Sequence, residues 1–178
     1  MSVPGDGAVE VDGYRLVPVY GRIGSNLHRE IQRMWVDEGV LSRDAAMRRV
    51  DEVVVATLDP AGEVAGVNTV YVARPPGGSE AWYFYRTFMR AAHRGRPAVV
   101  SAAFRMALDA LRAFSHPMRP AGLLALLENP KLANQGPRKR LERLGFGLVG
   151  RDRRGRPVWA LRFDGEAPAT PPGWLDPA

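Results

Sequence analysis

The sequence predicts a mixed α/β fold whose elements run β-α-α-β-β-β-α-β-α-β-β. Three stretches carry that prediction. Residues 81–89 (AWYFYRTFM) alternate, with Trp82, Phe84, Arg86 and Phe88 on one face and Tyr83, Tyr85, Thr87 and Met89 on the other, the period of a strand. Residues 97–114 are apolar on most sides. Only Ser101, Arg105, Asp109 and Arg112 make a narrow polar stripe, so this helix is expected to pack on a sheet. Residues 121–127 (AGLLALL) form a short unbroken apolar run, the pattern of a strand buried on both faces.

Taken in order, residues 14–20 (YRLVPVY) read as a first strand, and Pro18 suggests an edge because proline cannot donate to a ladder. Gly21 and Gly24 break it. Ser25 or Asn26 is placed to cap a helix that runs to Glu38, with Leu27, Ile31, Met34 and Trp35 on one face and Gly39 at its end. Ser42 followed by Asp44 starts a shorter helix through Arg49. Strands follow at 52–58 and 63–74, joined by the turn Asp59-Pro60-Ala61-Gly62. The loop 75–80 leads into the aromatic strand. Beyond the long helix, His116-Pro117 and Arg119-Pro120 mark a loop before the buried strand. Residues 137–144 (PRKRLERL) form a short helix stopped by Gly145, and 146–150 pairs with 158–163 as a hairpin. On this reading residues 14–163 make one domain, and 1–13 and 164–178 are loose terminal segments.

Composition narrows the chemistry. At 178 residues the chain is long enough to bury a real core, and 46% hydrophobic with 25% charged residues is ordinary for a globular domain. The absence of cysteine excludes disulfides, thiolate catalysis and zinc–thiolate sites. His28, His93 and His116 are scattered, so no metal is expected. No apolar run reaches the roughly 20 residues of a membrane span. The polar N-terminus lacks the order of a signal peptide, which makes the cytoplasm the expected location. The net charge of +6 is carried almost wholly by arginine, since Lys131 and Lys139 are the only lysines. The planar guanidinium suits oxyanions, so a phosphate-bearing ligand competes with the plainer reading of a solvated basic surface. Nucleic acid ranks last, because no helix-turn-helix or RNA-binding signature accompanies the charge.

The aromatic strand feeds a turn that carries Arg90, His93, Arg94, Gly95 and Arg96, and Pro97 takes a first helical position, where a missing N–H costs nothing. A basic turn that opens a helix aims backbone N–H groups and the positive end of the helix dipole at an anion. The N–H groups of Ala98, Val99 and Val100 are expected to be free there. This segment (HRGRPAVVSAAFRMALDAL) and the closing one (ENPKLANQGPRKRLERLGFGLVGRDRRGRPVWALRF), with its Leu144-Gly145-Phe146 junction, together resemble the GNAT-type N-acyltransferase superfamily over about residues 14–163.

The resemblance implies a mostly antiparallel central sheet with helices on both faces, its fourth strand splayed from its fifth. It also implies acyl-coenzyme A as cofactor, acetyl-coenzyme A first. By position, Phe88, Met89 and Arg90 match the strand segment whose backbone bonds the pantetheine arm and polarises the thioester carbonyl. Arg94, Gly95, Arg96, Ala98 and Val99 fall in the pyrophosphate loop, and Asn134 matches the family's asparagine before the Gly-Phe junction. The chain departs from the pattern in places. Pro97 stands at a glycine position and Val99 at a glycine or alanine position; Leu141 stands where many members keep the tyrosine that protonates the leaving thiolate.

Glu128 ends the buried strand, either as a carboxylate that takes a proton from an amine, directly or through water, or as a capping acid. With Leu141 at the tyrosine position, Tyr83, Tyr85 or solvent is left as proton donor. Glu128 and Tyr85 are therefore the catalytic candidates. His93 is expected to touch phosphate or solvent. Trp35, Tyr71, Tyr83 and Tyr85 either line an acceptor pocket or belong to the core. The expected activity is direct transfer of an acyl group, acetyl first, from acyl-coenzyme A to an amine of a small molecule or protein. The altered loop leaves two alternatives: an acyl carrier protein as donor, meeting the basic surface with an acidic one, or a non-catalytic binding or regulatory module. Pairing of two copies through the final hairpin, giving a homodimer, is a further expectation.

Overall fold

A computed structural model describes residues 7–75, 78–126 and 135–168. Its strands are β1 (Val9–Val11), β2 (Tyr14–Pro18), β3 (Val53–Leu58), β4 (Val64–Ala73), β5 (Trp82–Met89), β6 (Gly122–Leu126), β7 (Gly147–Arg151) and β8 (Pro157–Arg162). The helices are α1 (Ser25–Asp37), α2 (Arg43–Arg49), α3 (Pro97–Ala113) and α4 (Gln135–Arg143). The eight strands stand in the order β1-β2-β3-β4-β5-β6-β8-β7. Among the described pairings only β5 with β6 is parallel. The mixed α/β class and the predicted order of elements hold, with one strand added at the start. Among the described residues no helix is long and apolar enough to cross a membrane. The chain packs as two compact units, Met1–Val70 with Thr87–Phe114, and Tyr71–Arg86 with Ser115–Ala178.

In the first unit the added strand β1 folds back on β2 through Asp12 (φ 50°) and Gly13 (φ 77°). Two central residues with positive φ make the mirror-image turn that matches the twist of a tight hairpin. Residues 9–11, read from sequence as part of a loose lead-in, are thus the edge of the sheet. Pro18 is not on an edge strand: it pairs with Val55 of β3, and β1 reaches only to Leu16. Val17 and Val19 face Ile31, Met34 and Trp35 of α1 and Ala46 of α2 in one apolar cluster. Leu16 alternates to the other side, and α3 lies along β2 and β3. Helices therefore cover both faces here. The N-cap of α1 is Gly24 rather than Ser25 or Asn26. Ser42 caps α2, its Oγ accepting from the Ala45 N–H at 3.3 Å.

In the second unit β6 lies between β5 and β8, pairing with β5 from Tyr83↔Leu123 to Tyr85↔Ala125 and with β8 from Gly122↔Arg162 to Leu126↔Val158. Trp82, Phe84, Leu124, Val149, Val158 and Ala160 form its apolar cluster. The β7–β8 turn is held by Asp152, whose Oδ1 accepts from the N–H groups of Arg154 and Arg156, both at 2.9 Å. Its Oδ2 receives Arg156 Nε at 2.7 Å.

Candidate functional site

The candidate site grows from the end of β5. The Arg90 N–H donates to the Ala65 carbonyl of β4 at 2.9 Å. Backbone groups alternate along a strand, so the N–H and carbonyl of Met89 point to the opposite edge. There the Met89 carbonyl accepts from Arg94 Nε at 3.0 Å. Gly66 makes the close approach of β4 feasible: a Cβ would lie 2.6 Å from the Phe88 carbonyl oxygen and 2.8 Å from Met89 Sδ. The described pairs of β5 with β6 run from Tyr83↔Leu123 to Tyr85↔Ala125, and β5 itself continues to Met89.

A 3-10 turn at Ala91–His93 follows, then Gly95 at φ +79°, a conformation that glycine adopts without strain. Pro97 opens α3, as predicted. No side chain caps this helix, and its first turn holds no acidic residue to compete with an anion. The Val100 N–H is not free: it donates to the Arg96 carbonyl at 3.1 Å and closes the first turn. That leaves the N–H groups of Ala98 and Val99, which helix geometry does not pair. The Val99 side chain is fully buried.

The arginines of the turn are engaged with protein groups. Arg90 Nε lies 3.4 Å from Glu38 Oε1 and Nη1 3.7 Å from Glu63 Oε2. Arg94 holds the Met89 carbonyl, and Arg96 stacks over the Tyr14 ring at 4.9 Å. His93 turns inward instead of toward solvent. Its Nδ1 is 2.8 Å from the Tyr14 hydroxyl and its Nε2 3.8 Å from Asp59 Oδ2. Asp59 is itself fixed, since its Oδ1 accepts from Ala61 and Glu63 N–H groups. Nothing local in the sequence signals the Tyr14–His93–Asp59 set, because three separate segments supply it.

Tyr85 is half-buried at the last β5–β6 pair. Glu128 and Asn134 lie outside the described residues. Trp35 and Tyr83 are core residues, 3% and 0% exposed, rather than pocket walls. Tyr71 is exposed at 39%, stacked on Phe84 at 4.8 Å with the Arg86 guanidinium 4.8 Å over its ring.

No family model and no curated protein matches the sequence. Solved structures do match. A ribosomal-protein-S5-alanine acetyltransferase from Vibrio fischeri superposes with a TM-score of 0.58 at 12% identity, over 90% of this chain and 100% of that one. RimJ of Mycobacterium smegmatis, in complex with CoA-disulfide, gives 0.57 at 14% identity over 92% and 90%. The fold is the GNAT fold. Arabidopsis thaliana NAA60 in complex with acetyl-CoA, at 0.52 and 12% over 84% and 97%, shares it.

Proposed function

We propose that this protein is an acyl-coenzyme A-dependent N-acyltransferase, with acetyl as its first-choice acyl group. One observation carries the reading. The β5 strand runs on to Met89 beyond Tyr85, its last described pair with β6, and leads into a turn that opens an uncapped, acid-free helix. The residues present fit the cofactor in part: the Met89 N–H is directed to the edge opposite β4, and Ala98 and Val99 offer two N–H donors to phosphate. Pro97 withholds a further donor.

In this reading the amine nitrogen forms a bond to the acyl carbon as the carbon–sulfur bond breaks, with no covalent enzyme intermediate. The Met89 N–H bonds the thioester oxygen and stabilises charge developing there. Glu128 takes the amine proton and Tyr85 supplies one to the departing thiolate. Positioning supplies most of the remaining rate. The acceptor is an amine, and a peptide beginning with alanine belongs in the first panel, given the Vibrio fischeri neighbour.

Calorimetry with acetyl-coenzyme A, and thiol release against an amine and peptide panel, test the proposal. Saturable binding with amine-dependent thiol release supports it. Binding only to an acyl-loaded carrier protein would move the donor to that class. Binding to neither would leave a non-catalytic module, a second reading favoured by the engagement of Arg90, Arg94 and Arg96 with protein groups.

A further inference from the structure

Away from the turn, α1 and α2 share a second feature. α1 buries Ile31, Met34 and Trp35, while Arg29, Arg33 and Val36 follow one another along another side at four- and three-residue spacing, so they form a row. On α2, Arg43 and Met47 are one turn apart. The two rows line an open groove of about 360 Å³ with buried Ala46 in its floor. Val36 and Met47 are 39% and 57% exposed, large apolar side chains left in water. Arg29, Arg33 and Arg43 surround them, and Asp37 is the one acid among the described lining residues.

We propose that this groove docks an acidic, amphipathic helical segment of a partner protein. Charge complementarity selects the occupant. Glutamate or aspartate side chains of such a segment meet three guanidinium forks, which pair with carboxylates bidentately. Its apolar face covers Val36 and the adaptable Met47, as an amphipathic helix does in a groove. Arg29 already donates from Nη2 to Asn26 Oδ1 at 2.6 Å, and a purely apolar helix would bring no carboxylate to it, to Arg33 or to Arg43. A nucleic acid would bring phosphates but no aliphatic surface for Val36 and Met47. The inference does not rest on acyl transfer and stands or falls separately from it.

The test uses the full chain and fluorescence anisotropy. The probe is a labelled synthetic helical peptide of Glu, Ala and Leu with its leucines on one face. The controls are a permuted peptide of the same composition with leucines all round, an oligoglutamate and a DNA duplex. The expected result is saturable binding of the amphipathic peptide, weaker at salt well above physiological because exposed charges are screened. Each control should bind at least about tenfold more weakly. The double variant Arg33→Glu/Arg43→Glu and, separately, Met47→Ser should each weaken the peptide by about tenfold or more. All three positions are exposed, so folding is retained and circular dichroism confirms it. Absence of binding, equal binding of the permuted peptide, oligoglutamate or duplex, or variants that bind like the parent would overturn the proposal.

Discussion

In the proposed reading, Pro97 limits how firmly the start of α3 would hold a pyrophosphate. It pre-sets the helical φ but gives up an N–H in the row that would face an anion bound at the helix start. Pro97→Gly restores that donor. A hydrogen bond to a charged group contributes about 1.5 kcal/mol, so coenzyme A should bind about tenfold more tightly by calorimetry. The helix should lose roughly 0.5–1 kcal/mol from the added backbone freedom. Unchanged affinity would mean that the helix start does not touch the phosphates. Asp152 is the second telling residue. Burial alone would raise its carboxyl pKa. The Arg156 side-chain bond, the Arg156 and Arg154 N–H groups and the Arg156 charge outweigh burial and hold it below the ordinary carboxylate value. A carboxyl lowered by folding contributes stability that is fully present above its unfolded pKa, about 3.9. That contribution is lost as pH falls through the lower, folded value. Asp152→Asn should therefore cost about 1–3 kcal/mol at neutral pH in chemical denaturation. Below about pH 4 the variant should lose less stability than the parent as acid is added. Identical acid slopes would remove Asp152 from the linkage.

At the scale of elements, periodicity made most of the fold legible and contacts between strands stayed hidden. The alternation at 81–89, the apolar helix opened by Pro97 and the AGLLALL run are local patterns, and each became the element it announced. β1 was missed because three residues are too few to show a period. The Asp12-Gly13 pair was nonetheless a hairpin signal in plain view. Gly66 and Gly122 look like ordinary glycines within strands, and only their neighbours on other strands explain them. A Cβ at Gly122 would collide with the Leu161 carbonyl oxygen and sit 2.9 Å from Arg162 Cα, so β8 backbone would have to move. Gly122→Ala should cost about 3 kcal/mol, lowering the melting temperature by roughly 6–12 °C. Gly66→Ala presses on Phe88 backbone and on the flexible end of Met89, and should cost about 1–3 kcal/mol. Gly24→Ala, with nothing within 4 Å and no positive φ, is the control and should change stability by less than about 1 kcal/mol. Equal melting temperatures for all three would show that these strands yield without cost.

For the molecule as a whole the question is whether net charge or its placement governs anion binding. The sequence put Arg90, Arg94 and Arg96 in one turn, and that clustering is real. Their partners were not legible, because Glu38, Glu63 and Tyr14 come from distant segments that only the folded chain brings to the turn. The site is accordingly less electropositive than its arginine content suggests. Neutralising Glu38 and Glu63 together, as Glu38→Gln/Glu63→Gln, would raise the net charge from +6 to +8 and release Arg90. Glu30→Gln/Asp44→Asn makes the same change of charge at exposed positions on α1 and α2. Beyond a Debye length, about 8–10 Å at physiological salt, exposed charges are largely screened. If placement governs, the first pair should tighten coenzyme A several-fold by calorimetry and the second should change it less than about twofold. The gap between them should persist as salt rises, since Arg90 is three-quarters buried and its contacts are screened less. Equal tightening by both pairs, vanishing together at high salt, would instead assign the effect to the diffuse field of a basic protein.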